Sequence, residues 1–292
     1  GPHLLLVPLL AMVSILLGRL MVPLLVWSSG LDRRTAFFSL VPAGISEMAD
    51  LAQSKGADGG AVATLHATRV FLVVLILPAI ITGLGAPALG ESVRSAGTWD
   101  GPFTLALAAG LASGLIGNRL GLPSAFVVGS MVGVAALSST GIVSARTPAA
   151  LLAGAQVLLG LSLGTRFRRD AIRRLPRALS AGTLVLLLNG VLMAGAGIAL
   201  AYLFELDRAL MLLASATGGT AEMVLTAQVV ATDVALVALY QVTRGLAGNL
   251  LALPLYALTV RPREASRGLA GTRPAQSARR ESGGHDDQTP GE

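Results

Sequence analysis

Apolar residues fall in long blocks along this chain, and short polar or Gly/Pro-containing breaks separate them. Seven blocks read as helices able to cross a bilayer: 4–28, 59–83, 103–117, 122–140, 148–165, 178–203 and 234–259. A helix needs about 20 apolar residues for that, whereas a transmembrane barrel would show ten-residue segments of alternating polarity. Two further stretches, 36–55 and 209–230, begin apolar, break at "PAG" and "TGG", and resume as a short helix carrying a glutamate. Glycine lets a chain leave helical geometry and proline stops a helix before it. Both stretches therefore read as broken, re-entrant helical hairpins, tolerated at membrane depth only where protein or a water-filled cavity surrounds them.

The polar residues of the two broken stretches match at one constant offset. Gly44, Glu47, Met48, Ala52 and Gln53 recur as Gly219, Glu222, Met223, Ala227 and Gln228. The match continues through Asp58/Asp233, Val62/Val237, Ala63/Ala238, Thr68/Thr243 and Arg69/Arg244, so ten of 29 ungapped positions are identical between 42–70 and 217–245. Asp32-Arg33 and Asp207-Arg208 keep the same offset. Chance identity between apolar segments would favour Leu, Ala and Val; here Glu, Asp, Arg and Gln match, which marks a duplication.

With five crossings and a hairpin per repeat, an odd count, the second copy is inverted and the two hairpins meet near the midplane. Residue 1 corresponds to residue 176 although the second repeat begins near 103, so the first repeat reads as incomplete at its N-terminus. The expected architecture is an all-α integral membrane protein, a polytopic helical bundle of two inverted repeats, each with a broken re-entrant hairpin. Residues 1–84 form the C-terminal half of repeat 1, 85–102 an extracytoplasmic loop, 103–260 a complete repeat 2, and 261–292 a disordered cytoplasmic tail. That tail lacks any apolar period.

Charge refines this picture. Of the 292 residues 53% are hydrophobic and 13% charged, with a mean hydropathy of +0.70; ordinary soluble domains carry roughly 25% charge. A pI near 10.9 suggests nucleic acid at first sight. The positive charge, however, is Arg apart from Lys55, and it clusters at Arg166–Arg177 and beyond Arg261, both flanking apolar spans. Cytoplasmic loops carry such charge under the positive-inside rule, so no nucleic-acid partner is expected. Placing Arg166–Arg177 in the cytoplasm also puts Arg33, Arg34, Arg119 and the C-terminus inside, and the 84–102 loop with Glu91 and Asp100 outside; Arg146 alone fits poorly. The reading is a multi-pass protein of the cell inner membrane. Its partners are membrane lipid and a small-molecule or ion solute, with a homo-oligomer left open. There is no cysteine, hence no disulfide, thiolate metal site or Cys nucleophile. One intramembrane histidine cannot build a redox metal centre, so no metal, cofactor or catalytic residue is expected.

The candidate site lies in the repeated element. Glu47 and Glu222 follow the breaks at Gly44 and Gly218-Gly219. Each is either a first-turn carboxylate complementing the helix dipole or a functional acid, a proton carrier or cation ligand. A charge at the bilayer centre costs ~2.5–3.5 kcal/mol even on the insertion scale. Asp58 and Asp233 read most simply as helix N-caps. Arg69 and Arg244 lie inside spans and need partners; a Glu–Arg pair beside a midplane cavity is the favoured reading, against a permanent ion pair that only fixes the hairpins. His66 and Gln241 occupy equivalent positions one turn before each arginine. His66 is either a proton shuttle or a hydrogen-bonded packing residue, and Met48 and Met223 are packing residues.

The paired "AGISEM…AD…TR" and "GGTAEM…TD…TR" elements resemble the bacterial membrane family that carries a duplicated AbrB-type unit. In that family the element often reads Pro-Gly-Gly-Leu-x-Glu-Met; this chain departs from it at Ala43, where Gly is usual, and at Thr217, where Pro is usual. Members carry the labels AbrB family transcriptional regulator and ammonia monooxygenase, and neither label states a mechanism. The leading expectation is a secondary transporter, proton- or ion-coupled, that moves a small solute between paired broken helices. The alternative is a membrane-bound regulator that influences gene expression through protein partners without contacting DNA. A monooxygenase-type enzyme is the remote third.

Overall fold

The computed structural model describes residues 1–83, 97–122, 125–141, 147–165, 167, 173, 176–230 and 232–260. The expected outer loop over 85–96, most of the Arg166–Arg177 loop, Arg146 and the tail from 261 lie outside the described residues. Among the described residues there are eleven α-helices and no strand; an isolated bridge joins Gly97 and Pro148. The helices are α1 (His3–Ser29), α2 (Arg33–Leu40), α3 (Ile45–Ser54), α4 (Gly59–Gly83), α5 (Gly101–Arg119), α6 (Ala125–Ser139), α7 (Ala149–Thr165), α8 (Pro176–Leu203), α9 (Arg208–Ser215), α10 (Thr220–Val229) and α11 (Val234–Thr259). Residues Gly1–Leu250 form one compact unit and Leu251–Glu292 another; of the latter, only the end of α11 and Val260 are described.

Aspartate starts five of these helices. The Asp32 carboxylate accepts the amides of Arg34 and Thr35 at α2, and Asp207 accepts that of Leu210 at α9. Asp58 accepts the Ala61 amide and Asp233 the Leu236 amide, each at 2.9 Å, at the openings of α4 and α11. Asp100 accepts from Phe103 at 2.8 Å, and Pro102 stands in the first turn of α5, where its missing N–H costs nothing. Such caps satisfy amides that have no partner within the helix. Both bounds of α9 and of α10 stand from those of α2 and α3 at the offset of the repeated sequence element.

Four helices are long and apolar enough to cross a membrane: α1, α4, α8 and α11, of 27, 25, 28 and 26 residues. The other three expected spans fall on α5, α6 and α7, shorter helices of 19, 15 and 17 residues. The helix α6 has only 15 residues, about 22 Å at 1.5 Å per residue against a hydrocarbon core of about 30 Å. Glycines shape this region. Gly121 and Gly141, at φ 70 and 75, turn the chain out of α5 and α6. Other glycines let helices touch: a Cβ on Gly129 would stand 2.7 Å from the Ser113 carbonyl oxygen, which seats α6 against α5.

In the first unit, α1 packs against α8, and α4 packs against α2, α3, α8, α9 and α10. The C-terminal half of α4, through Leu77 and Ile81, is buried with Leu210, Leu212, Leu213, Met223 and Val237. Two contacts are reciprocal. Val73 of α4 lies beside Gly218, where a Cβ would stand 3.2 Å from its side chain. Gly248 of α11, at the sequence offset of the matched elements from Val73, lies beside Pro42 and Ala43, where a Cβ would stand 3.1 Å from that of Ala43. Each long helix therefore passes over the break that belongs to the other set.

Candidate functional site

Four residues, Val41–Gly44, separate α2 from α3, and four, Ala216–Gly219, separate α9 from α10. A helix that stops inside protein leaves its last carbonyls without amide partners. At the second break Arg244 supplies them. Its Nη1 donates to the Ala216 carbonyl and its Nη2 to the Gly218 carbonyl at 2.9 Å. Gln241 holds the guanidinium in place. The Gln241 Oε1 accepts from Arg244 Nη2 at 2.5 Å, while its Nε2 donates to the carbonyls of Leu213 at 2.6 Å and Ala216 at 3.1 Å.

His66 does the same work at the first break. Its Nε2 is 2.8 Å from the carbonyl oxygen of Phe38, which stands at the same sequence offset from Leu213 as His66 does from Gln241. A carbonyl only accepts, so Nε2 carries the hydrogen and Nδ1 is left to accept from Arg69 Nη2 at 3.2 Å. The imidazole thus reproduces the donor and the acceptor of the Gln241 amide. His66 and Gln241 are fully buried, and Arg69 and Arg244 are 4% and 6% exposed.

The expected Glu–Arg pair is not formed. Arg244 spends its donors on Gln241 and on the carbonyls of the break, and Arg69 on His66 alone. The physical reason is local: carbonyls at a broken helix end carry partial negative charge and sit where the guanidinium arrives. The glutamates turn the other way. Each occupies the third position of its half-helix and folds back, so that a Cβ on Gly44 would collide with the Glu47 carboxylate and one on Gly219 with that of Glu222. At φ −62 and −79 these glycines are in ordinary extended backbone; they provide room for the carboxylate. Unlike the aspartate-capped helices, α3 and α10 have no side-chain cap.

One cavity of about 350 Å³ collects these groups. It is lined by Pro42–Glu47, Arg69 and Val70, Gly218–Glu222, Gln241, Val242, Arg244–Leu246 and Asn249, with Val127 and Val128 of α6 and Leu159 and Ser162 of α7 as the facing wall. Of the residues singled out in the sequence, Gly44, Glu47, Arg69, Gly218, Gly219, Glu222, Gln241 and Arg244 line it. His66 is not among the lining residues and stands behind Arg69, and Asp58 and Asp233 cap helices away from it. Sequence reasoning missed Ser162, Asn249 and the carbonyls of Ala216 and Gly218; a lone Asn in an apolar helix was the available signal for Asn249. Arg69 Nε, Arg244 Nε and Asn249 Oδ1 are buried without hydrogen-bond partners. Among the described residues no group of three His, Cys, Asp or Glu could hold a metal ion.

Comparison with known proteins gives modest similarity. The chain is 28% identical over 272 residues to the uncharacterized protein YhjN of Bacillus subtilis (strain 168), a match that covers 86% of this chain and 70% of that protein. It is 27% identical over 228 residues to a protein of Escherichia coli (strain K12) named as a regulator, AbrB, covering 76% of this chain and 64% of that one. The chain thus spans about two thirds of the length of these curated relatives. No solved structure matches it. The family described as "Transition state regulatory protein AbrB" matches residues 1–259, and the chain, with its two broken helices facing one cavity, belongs to that family.

Proposed function

We propose that this chain is a multi-pass protein of the inner membrane, with its C-terminus in the cytoplasm, and that it works as a secondary transporter. One observation carries the reading: two helix breaks of like construction, each with its glutamate and arginine, line a single cavity. Four long apolar helices support the membrane setting. So do large apolar side chains turned outward, such as Leu158 at 68%, Leu184 at 69% and Leu250 at 74% exposed, since contiguous apolar surface of this kind needs an apolar neighbour. The matching helix bounds and the reciprocal contacts of α4 and α11 support a duplication with two-fold character, because a two-fold relation makes residue i meet j and the copy of j meet the copy of i. In this reading α2–α3 and α9–α10 are re-entrant hairpins from opposite sides, as in inverted-repeat transporters. Glu47 and Glu222 lie beside the cavity at the positive ends of half-helices and are the acids that exchange a proton with passing solute.

The test is Glu222→Gln, which keeps shape and removes charge. The variant should insert and fold as the parent does yet lose pH-coupled flux in proteoliposomes; unchanged flux would sink the coupling role. The topology is checked with single cysteines in a chain that has none. Cys at the exposed Thr98 should react with an impermeant thiol reagent from outside, and Cys at the exposed Ser54 from the cytoplasmic side. The name of the Escherichia coli relative favours a second reading, a membrane regulator acting through protein partners. Deleting 261–292 separates the two: a transporter still moves its solute, whereas a regulator that works through this tail loses its effect.

A further inference from the structure

Arg69 and Arg244 are both more than nine-tenths buried and both line the cavity. A guanidinium has five N–H donors. Arg69 makes one hydrogen bond, to a neutral imidazole nitrogen, and its Nε has no partner. Arg244 makes three, all to uncharged oxygens, and its Nε is likewise unpartnered. Both guanidiniums border the same cavity. Glu47 and Glu222 line the same cavity but stay beyond ion-pair reach of either guanidinium, so they do not neutralise them by contact. Buried charges are ordinarily paired, and these two face an open volume instead.

The helix starts beside that volume already carry carboxylates, because Glu47 and Glu222 fold back over the first turns of α3 and α10. The first turns of α3 and α10 open onto the cavity through Ile45, Ser46, Thr220 and Ala221, and neither has a side-chain cap. Amides at a helix start favour an anion, and these two carboxylates fill that role, which leaves the guanidiniums as the groups without an anionic partner. The opposite arrangement, half-helix carbonyls offered to a cation, is closed off at the second break, because Arg244 already occupies the carbonyls of Ala216 and Gly218. We propose that the cavity binds a small oxyanion, a carboxylate or phosphate group held by Arg69 with help from Arg244. Binding itself does not depend on the transporter reading; passage of the bound anion across the membrane does. The proposal names the class of solute that the cavity selects.

The experiment uses the full chain purified in detergent, with acetate, succinate and inorganic phosphate as sodium salts and sodium chloride and choline chloride at equal ionic strength as controls. Thermal unfolding should shift upward with at least one oxyanion relative to both controls. At ten times its dissociation constant a ligand shifts the folding equilibrium about tenfold. Arg69→Lys keeps the charge but not the planar fork and should weaken binding about tenfold, and Arg69→Gln should weaken it a hundredfold or more. Val128→Trp, which fills the cavity from the facing wall without changing a charge, should abolish the shift, and it decides the matter if Arg69→Gln does not fold. The proposal is overturned if no oxyanion stabilises the chain up to 50 times the concentration of protein sites and above ~10 mM, or if choline alone does, or if stabilisation survives Val128→Trp and both Arg69 variants. Flux in proteoliposomes is scored separately. Binding without flux leaves the oxyanion site standing and removes the transporter reading, whereas cation flux without oxyanion binding does the reverse.

Discussion

His66 and Gln241 offer a direct test of how the two breaks are built. Replacing His66 with Leu removes a donor to the Phe38 carbonyl at 2.8 Å and an acceptor for Arg69 Nη2 at 3.2 Å. All three residues are buried, so both hydrogen bonds are lost where water cannot replace them, at about 1–3 kcal/mol for each group and more where one is charged. By that reckoning His66→Leu should cost about 3–5 kcal/mol. His66→Gln supplies an amide N–H and an amide oxygen, as Gln241 does between Leu213 and Arg244. It should cost less than about 1 kcal/mol, the range of a shape change that keeps its hydrogen bonds. Reversible unfolding in mixed micelles measures both variants. A second measurement separates this scaffold role from proton transfer. If His66 only positions Arg69, the pH profile of flux from pH 5 to 8 is the same in His66→Gln as in the parent. If His66→Gln is as destabilised as His66→Leu, or if it flattens the pH profile, the equivalence argued from the two hydrogen-bond patterns is wrong.

Other expectations rest on single contacts. Gly248→Ala should destabilise by about 1–3 kcal/mol, since its Cβ would meet the Pro42 backbone, which cannot swing aside. Gly245→Ala, one turn earlier with nothing within 4 Å, should be neutral or gain up to ~1 kcal/mol of helix propensity; equal effects in a thermal unfolding series would discount the contact. Arg244→Met strands the Gly218 carbonyl and should cost about 1–3 kcal/mol, with Arg244→Lys recovering only part because one ammonium cannot span the same three acceptors. Glu222→Gln, which loses only a first-turn charge, should cost about 0.3–1 kcal/mol in the same assay, so an inverted order between these two variants would contradict the absence of a Glu–Arg pair.

The helix breaks are legible in the sequence because Gly and Pro stand where a polar pattern repeats, and Asp32, Asp58, Asp207 and Asp233 mark the following helices through cap chemistry that depends on neighbours only. The partners of Arg69 and Arg244 are not legible. Charge complementarity points to Glu, which is visible in a sequence; the actual acceptors at the second break are main-chain carbonyls, which every residue carries and no letter marks. The equivalence of His66 and Gln241 is hidden for a related reason, since their shared role depends on carbonyls 28 residues upstream.

The unequal staffing of the two breaks has a mechanical consequence. Around Ala216–Gly219 one guanidinium and one amide tie three carbonyls to α11, whereas around Val41–Gly44 the side chains of α4 reach only Phe38. Side chains of the long helix thus hold three carbonyls at the second break and one at the first. In an opening and closing cycle the two halves would then not share the strain: the second would serve as the fulcrum and the first as the moving arm. Amide hydrogen exchange reports such a difference residue by residue, with the amides of 41–47 exchanging faster than those of 216–222 in the empty protein. An oxyanion seated against Arg69 should slow the first set and leave the second nearly unchanged.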